Sequence, residues 1–124
     1  MATLIADSCS LDDVNEAITA ANNDDTVQVP SGSAIWESRL EISKGIYLMA
    51  DGCTITNGAS GDTGLIWYNP SDYSLDQNFR LSGWNFDTNG HRGLQLGYWV
   101  SSPFTLNTHV RIDHNNFTNT GLVS

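Results

Sequence analysis

The chain has few basic residues. One lysine and four arginines stand against 14 acidic residues among 124, and the formal charge is −9. Binding to a nucleic-acid backbone or to anionic lipid needs a basic face, so neither nucleic acid nor a membrane surface is an expected partner. Apolar runs of about 18 residues, the length that spans a bilayer, are also missing.

The start of the sequence lacks the basic flank and long apolar core of a signal peptide, so it does not indicate a compartment. Cysteine is scarce as well, with only Cys9 and Cys53. The pair fits no metal-binding spacing and is either one disulfide or two buried thiols. Asn, Asp, Ser, Thr and Gly are abundant while 40% of the residues are hydrophobic, which is typical of a turn-rich β protein rather than a disordered one. A length of 124 residues fits a single domain, 1–124.

One helix is predicted, over residues 10–23. Ser10 is a good N-cap, and Asp13 three positions later completes a pair that resembles a capping box. Asn22 and Asn23 are expected to end the helix, because asparagine tolerates the left-handed conformation common at such ends. The predicted apolar face recurs at helical spacing and consists of Leu11, Val14, Ile18 and Ala21.

Short β segments separated by turn residues fill the rest of the chain. Alternating apolar and polar residues, or short apolar runs, mark each segment, and Gly, Pro, Asn or Asp closes most of them. The predicted strands are 26–29, 39–42, 46–49, 53–56, 65–68, 79–86, 94–97 and 110–117, and 69–78 is predicted to be a loop.

A repeat relates residues 79–90 to residues 110–121 at an offset of 31 positions. Such a period indicates stacked units, none of which buries its apolar face alone. A sandwich or a jelly roll would also contain many short strands. The repeat, and a single amphipathic helix placed before all the strands, favour a solenoid whose first coil the helix caps. The matching positions are Arg80/Arg111, Asn85/Asn116, Phe86/Phe117 and Gly90/Gly121.

The order of these segments resembles the N-terminal portion of the right-handed parallel β-helix proteins of the pectate-lyase-like superfamily. The resemblance lies in the helix followed by 25–32, Trp36, 40–42 and 44–48. It implies an all-β, right-handed parallel β-helix of a few coils over 26–124, with the capping helix at 10–23. By analogy with this superfamily, the protein would be extracellular or virion-associated.

Alternation along the repeat places Arg80 over Arg111 and Ser82 over Asp113 on the outer face of the coils. Two stacked guanidiniums repel each other unless an acid or an anionic ligand lies between them. Asp113, diagonal to Arg80, is the expected acid. The cluster is therefore either a solvated Arg–Asp ladder of little energy or a small anion-binding face suited to the carboxylates of an acidic polysaccharide.

The segment 110–114, Val-Arg-Ile-Asp-His, is similar to a Val-Trp-Ile-Asp-His stretch of pectate lyases. In that family an acid from this region helps to hold calcium beside the uronate, a role that only Asp113 matches here. Calcium prefers six to eight oxygen ligands, and asparagines and a threonine follow where the family has further acids. We therefore predict no catalytic residue, metal ligand or cofactor, with calcium as the disfavoured alternative. The candidate ligand-binding residues are Arg80, Arg111, Asp113 and His114.

Galacturonan hydrolases of the same superfamily use paired aspartates and a Gly-His-Gly segment. The chain has aspartate pairs only at 12–13 and 24–25, and the surroundings of His91 match the histidine segment only faintly. Asp87 and Asp113 are a further carboxyl pair, but no spacing requires them to face each other. A truncated lyase or hydrolase is the alternative to a non-enzymatic carbohydrate-binding module.

The last repeat copy predicts an exposed end. Phe86 and Phe117 are expected to stack in the core, and Asn85 and Asn116 to stack in a turn. The sequence stops as a further coil would begin, which is expected to leave Val110, Ile112 and Phe117 near an open surface. Either the chain is the first part of a longer β-helix, or another subunit covers that surface. We predict a homodimer or larger assembly, in which two copies pair.

Overall fold

The structure is a computed structural model that describes residues 2–59, 64–70, 77–91, 94–96 and 109–119. These residues form a mostly β protein with one helix, in which every paired strand is parallel to its neighbour. The elements are β1 (Thr3–Ile5), α1 (Leu11–Ala20), β2 (Thr26–Val29), β3 (Gly32–Trp36), β4 (Leu40–Ile42), β5 (Tyr47–Asn57), β6 (Ile66–Tyr68), β7 (Asn78–Asp87), β8 (Leu94–Leu96), β9 (His109–Asp113) and β10 (Asn116–Thr118).

The helix begins as predicted and ends earlier. The backbone N–H of Asp13 donates to the Ser10 hydroxyl, which confirms the N-cap. The prediction that Asn22 and Asn23 end the helix was wrong, because α1 ends at Ala20 and the left-handed residue is Asp24, at φ 72°. The Lys44 ammonium donates to the carbonyl oxygens of Ile18, Thr19 and Ala21, so a distant cation satisfies the helix end.

Several strand boundaries differ from the prediction. The start of the chain pairs as β1, and β3 continues directly after the turn at Pro30, where glycine and serine had indicated a stop. The break expected between the predicted strands 46–49 and 53–56, at Asp51 and Gly52, is instead an irregularity within one strand, β5, between Met49 and Cys53. Such a bulge accommodates extra residues without ending the strand.

The second repeat copy is two strands rather than one. His114 has a φ of 57°, so the chain turns between β9 and β10. Gly83 occupies the matching position in the first copy, at φ 87°, and β7 nevertheless runs on through it. The predicted segments at 69–78 and 94–97 lie partly outside the described residues.

Two parallel sheets make up the described structure. The larger has the strand order β1-β2-β5-β7-β10, with β3 also paired to β5 and β9 also paired to β7, and the smaller has the order β4-β6-β8. The repeat sets the register, because residues 78–82 of β7 pair with 109–113 and residues 85–87 pair with 116–118, always 31 positions later. The sequence alignment of the two copies is thus confirmed as a spatial alignment.

The core lies where these sheets and α1 meet. Inward positions recur in register, as in Val27, Leu48 and Leu81, all fully buried. The helix buries Val14, Ala17 and Ile18 and contacts β1 to β4. Among the described residues, no helix is both long and apolar enough to cross a membrane.

Candidate functional site

The candidate site lies on β7 and β9, where the register places Arg80 beside Arg111 and Ser82 beside Asp113. Neighbouring strands are about 4.8 Å apart, so the two guanidiniums would repel each other without an acid between them. This pairing confirms the predicted stacking. Ser82 is buried rather than exposed on the outer face.

Asp113 joins the cluster. Arg80 binds the Asp113 carboxylate in a bidentate manner, with Nε 3.0 Å from Oδ1 and Nη2 2.8 Å from Oδ2. Arg111 Nη2 lies 3.3 Å and His114 Nδ1 2.8 Å from the same Oδ2. The structure therefore brings together all four residues that the sequence identified, with Asp113 at the centre.

These contacts bias the charge states. The hydrogen bonds from Arg80 are the main reason that the pKa of Asp113 lies well below its usual range, and His114 and the charge on Arg111 add to the effect. The same pair raises the pKa of Arg80 above its ordinary value. Asp113 is thus held as a carboxylate with both oxygens engaged, which disfavours its use as a cation ligand.

Exposure divides the cluster into an anchored part and a free part. The side chains of Asp113 and Arg80 are 17% and 27% exposed, whereas those of Arg111 and His114 are 66% and 76% exposed. Two guanidiniums share one carboxylate, so one positive charge remains uncompensated within the cluster. Arg111 can therefore donate to an anion in solvent while Asp113 fixes its position, whereas a neutral His114 already donates its one N–H to Asp113.

Asn115, next to the cluster, hydrogen-bonds to the backbone of β7, a role that was not predicted from the sequence. Its Oδ1 accepts from the backbone N–H of Trp84 at 3.0 Å, and its Nδ2 donates to the carbonyl of Leu81 at 2.8 Å. The side chain replaces backbone partners at the point where β9 gives way to β10. The only sequence signal was an asparagine next to the matched Asn116.

The other two predicted pairs agree with the structure only in part. Asn85 and Asn116 are register partners, as expected, but they lie in strands rather than in a turn. Phe86 and Phe117 stack with their ring centroids 5.2 Å apart. The core placement holds only for Phe86, because Phe117 is 36% exposed.

The acids considered for hydrolysis have structural partners. Asp25 is buried and accepts from the backbone N–H groups of Ala2 and Asn22, which lower its pKa. Asp13 accepts from Ser8, and Asp87 accepts from Asn119. Within the described ranges, no three His, Cys, Asp or Glu side chains gather as metal ligands would.

Comparison with models of protein families, with curated proteins and with solved structures finds no match for this chain. A fold indicates where a site can lie but not what it does. The functional conclusion therefore depends on the geometry of the cluster around Asp113.

Proposed function

We propose that the chain is a non-enzymatic module of right-handed parallel β-helix type that binds the carboxylates of an acidic polysaccharide. In this proposal Arg111 and His114 contact the sugar acids. Arg80 and Asp113 hold those two side chains in position. The module also associates with other copies through the surface of β9 and β10. The observation that carries the binding proposal is the exposed guanidinium of Arg111, anchored beside His114 on a carboxylate with both oxygens engaged.

The path of the chain between the two sheets supports a coil. After β3 the chain visits the small sheet at β4, returns to the large sheet at β5, and repeats this alternation through β6, β7, β8 and β9. All pairings are parallel, and the constant offset between β7 and the last two strands matches one further turn of the same path. Stacked coils of a solenoid have this arrangement.

The polysaccharide assignment follows from the chemistry of the donors. An exposed guanidinium on the edge of a sheet can donate to a carboxylate, and a sugar acid offers one on each ring. Tyr47, half-buried, is the register neighbour of Arg80 on the other side and extends the same column across β5. These register neighbours form a line of side chains that can contact a chain of sugars along its length, rather than enclose a single small anion.

The overall charge limits the affinity. A chain of charge −9 repels a polyanion at long range, so binding must come from short-range contacts at the cluster. We expect weak binding to oligogalacturonate that falls further as salt screens the contacts.

Titration calorimetry with tetragalacturonate at low salt tests the proposal. Arg111→Gln should weaken binding by up to about fivefold, the factor that corresponds to one exposed ion pair of about 1 kcal/mol. Arg39→Gln is the matched control, because Arg39 lies over the Trp67 ring next to the other sheet and its loss removes the same charge. Absence of binding, or equal weakening by both variants, would contradict the assignment.

Exposed core positions support self-association. Val110 and Phe117 are 41% and 36% exposed, although their register partners Phe79 and Phe86 are each 1% exposed. Among the described strands, β9 and β10 pair only with β7. A second copy that packs on this surface would bury both side chains in one closed contact.

Release of reducing or unsaturated ends from polygalacturonate, lost in Asp113→Asn, would instead support a truncated lyase or hydrolase. The arrangement of the described acids favours no such reaction, because Asp113 is bound by two arginines.

A further inference from the structure

The two cysteines lie far apart in sequence and together in space. Cys9 immediately precedes the N-cap of α1, and Cys53 lies in β5, 44 positions later. Both are free thiols and are buried, and their sulfur atoms are 2.7 Å apart. A bonded pair of sulfurs is separated by about 2.05 Å, so a shift of roughly 0.7 Å would join them.

The surroundings hold the two sulfurs toward each other. Both Sγ atoms contact one acceptor, the carbonyl oxygen of Pro30, at 3.0 Å from Cys9 and 2.8 Å from Cys53. The backbone of Cys9 is fixed by the indole N–H of Trp36, which donates to its carbonyl at 2.9 Å. Gly32 completes the wall, since a Cβ there would lie only 3.2 Å from the Cys9 sulfur.

We propose that Cys9 and Cys53 form a disulfide that fastens the start of α1 to β5. The bond would tie the helix to the sheet and close a loop of 44 residues. Cross-linking a loop of this size restricts the unfolded chain substantially. Disulfides persist in oxidising compartments, so an extracellular setting would favour the bonded form.

The reaction is thiol–disulfide exchange with a small disulfide such as oxidised glutathione. The thiolate of one cysteine attacks a sulfur of the reagent and releases one glutathione thiolate. The second cysteine loses its proton to solvent and attacks the protein-bound sulfur of the mixed disulfide, which releases the second glutathione. Two protein thiols are oxidised and one glutathione disulfide is reduced to two thiols.

Exchange should accompany folding rather than follow it. Burial, with the neighbouring Cys9 thiol, raises the pKa of Cys53 above its ordinary value and so lowers its thiolate fraction in the folded protein. The thiolate is the attacking species, so the reduced folded protein should react slowly and the refolding chain rapidly.

Peptide mapping of the refolded full-length chain tests the proposal. The protein is unfolded, reduced, refolded with a glutathione redox pair, alkylated and digested with trypsin without reductant. Cleavage after Arg39, Lys44 and Arg80 places the two cysteines in peptides 1–39 and 45–80. The expected product is these peptides joined as one species, and their recovery as two separately alkylated peptides would overturn the proposal.

Thermal unfolding then tests whether the bond fastens the helix. Wild-type protein should lose on the order of 10 °C in Tm when reduced, as expected for a loop of this length in a chain of this size. Cys9→Ser should show no dependence on reductant. If Cys9→Ser does not fold, the comparison of oxidised with reduced wild-type protein still tests the role of the bond. A joined peptide with an unchanged Tm on reduction would refute the stabilising role.

Discussion

The two copies of the repeat have similar sequences and the same register, but they lie in different environments. In the first copy, β7, Phe79 and Phe86 are each 1% exposed. Their partners in the second copy, Val110 and Phe117, are 41% and 36% exposed. The difference comes from position in the sheet, since among the described strands β7 is paired on both sides and the second copy only on one. Similar residues are thus core in the first copy and surface in the second.

The left-handed positions of the two copies differ for the same reason. A Cβ at Gly83 would overlap the carbonyl oxygen of Ala50 in the strand beneath it, and its φ of 87° favours glycine. The matching residue in the second copy, His114, carries a full side chain at φ 57° and is 76% exposed. The first copy requires glycine at this point, whereas the second copy can place a candidate binding residue there.

Truncation of the matched phenylalanines should give the largest difference between the two copies in the cost to unfolding free energy. Phe86→Ala should cost about 3–5 kcal/mol of unfolding free energy, because it empties a buried site. Phe117→Ala should cost about 1 kcal/mol in the monomer, where the ring is partly exposed. If a second copy buries Phe117, the cost of Phe117→Ala will rise with protein concentration while that of Phe86→Ala stays constant. Urea unfolding at two concentrations measures both, and equal costs for the two variants would contradict the stacking.

Substitution at the matched positive-φ positions, Gly83 and His114, should give the next largest difference in stability. Gly83→Ala should destabilise by about 2–4 kcal/mol, because it combines backbone strain with overlap on Ala50. His114→Ala should change stability by less than about 1 kcal/mol, because a Cβ is already accommodated there. Denaturant midpoints of the two variants give the comparison. A tolerated Gly83→Ala would mean that β7 does not lie closely on β5.

The smallest expected effect is on acid stability. The pKa of Asp113 is depressed in the folded protein, so its contribution is fully present above the ordinary aspartate pKa of about 3.9 and is lost as the pH falls toward the folded value. Wild-type Tm should exceed that of Asp113→Asn by a few degrees at pH 7, and the gap should narrow below about pH 4. Asp51→Asn, which removes an exposed carboxylate of β5, is the control and should show no such convergence. A gap that persists unchanged in acid would contradict the ionic role of Asp113.

Much of the site was predictable because the repeat encodes register. Once Arg80 was aligned with Arg111, alternation along the strand and the spacing of neighbouring strands placed Asp113 between them. The helix start was also predictable, since Ser10 and Asp13 are only three positions apart in sequence and their contact is local. These predictions thus depended on contacts between residues close in sequence and on the similarity of the two repeat copies.

The remaining features depend on distant contacts. The helix ends where Lys44 reaches its carbonyls, and no residue near Asn22 reports that contact. Asp51 and Gly52 indicate a turn by composition, yet pairing on both sides keeps β5 continuous. Asn115 was missed because its partners are backbone groups of a strand 31 to 34 positions earlier.

Absolute mass in solution tests self-association most directly. Light scattering on a sizing column, over about 1 to 100 μM, should give at least twice the mass of one chain at every concentration. Phe117→Lys should reduce the mass to that of one chain, because a charge cannot be buried unpaired in an apolar contact. A folded wild-type monomer across the whole range would contradict the assembly, and the exposed face of β9 and β10 would then need another explanation.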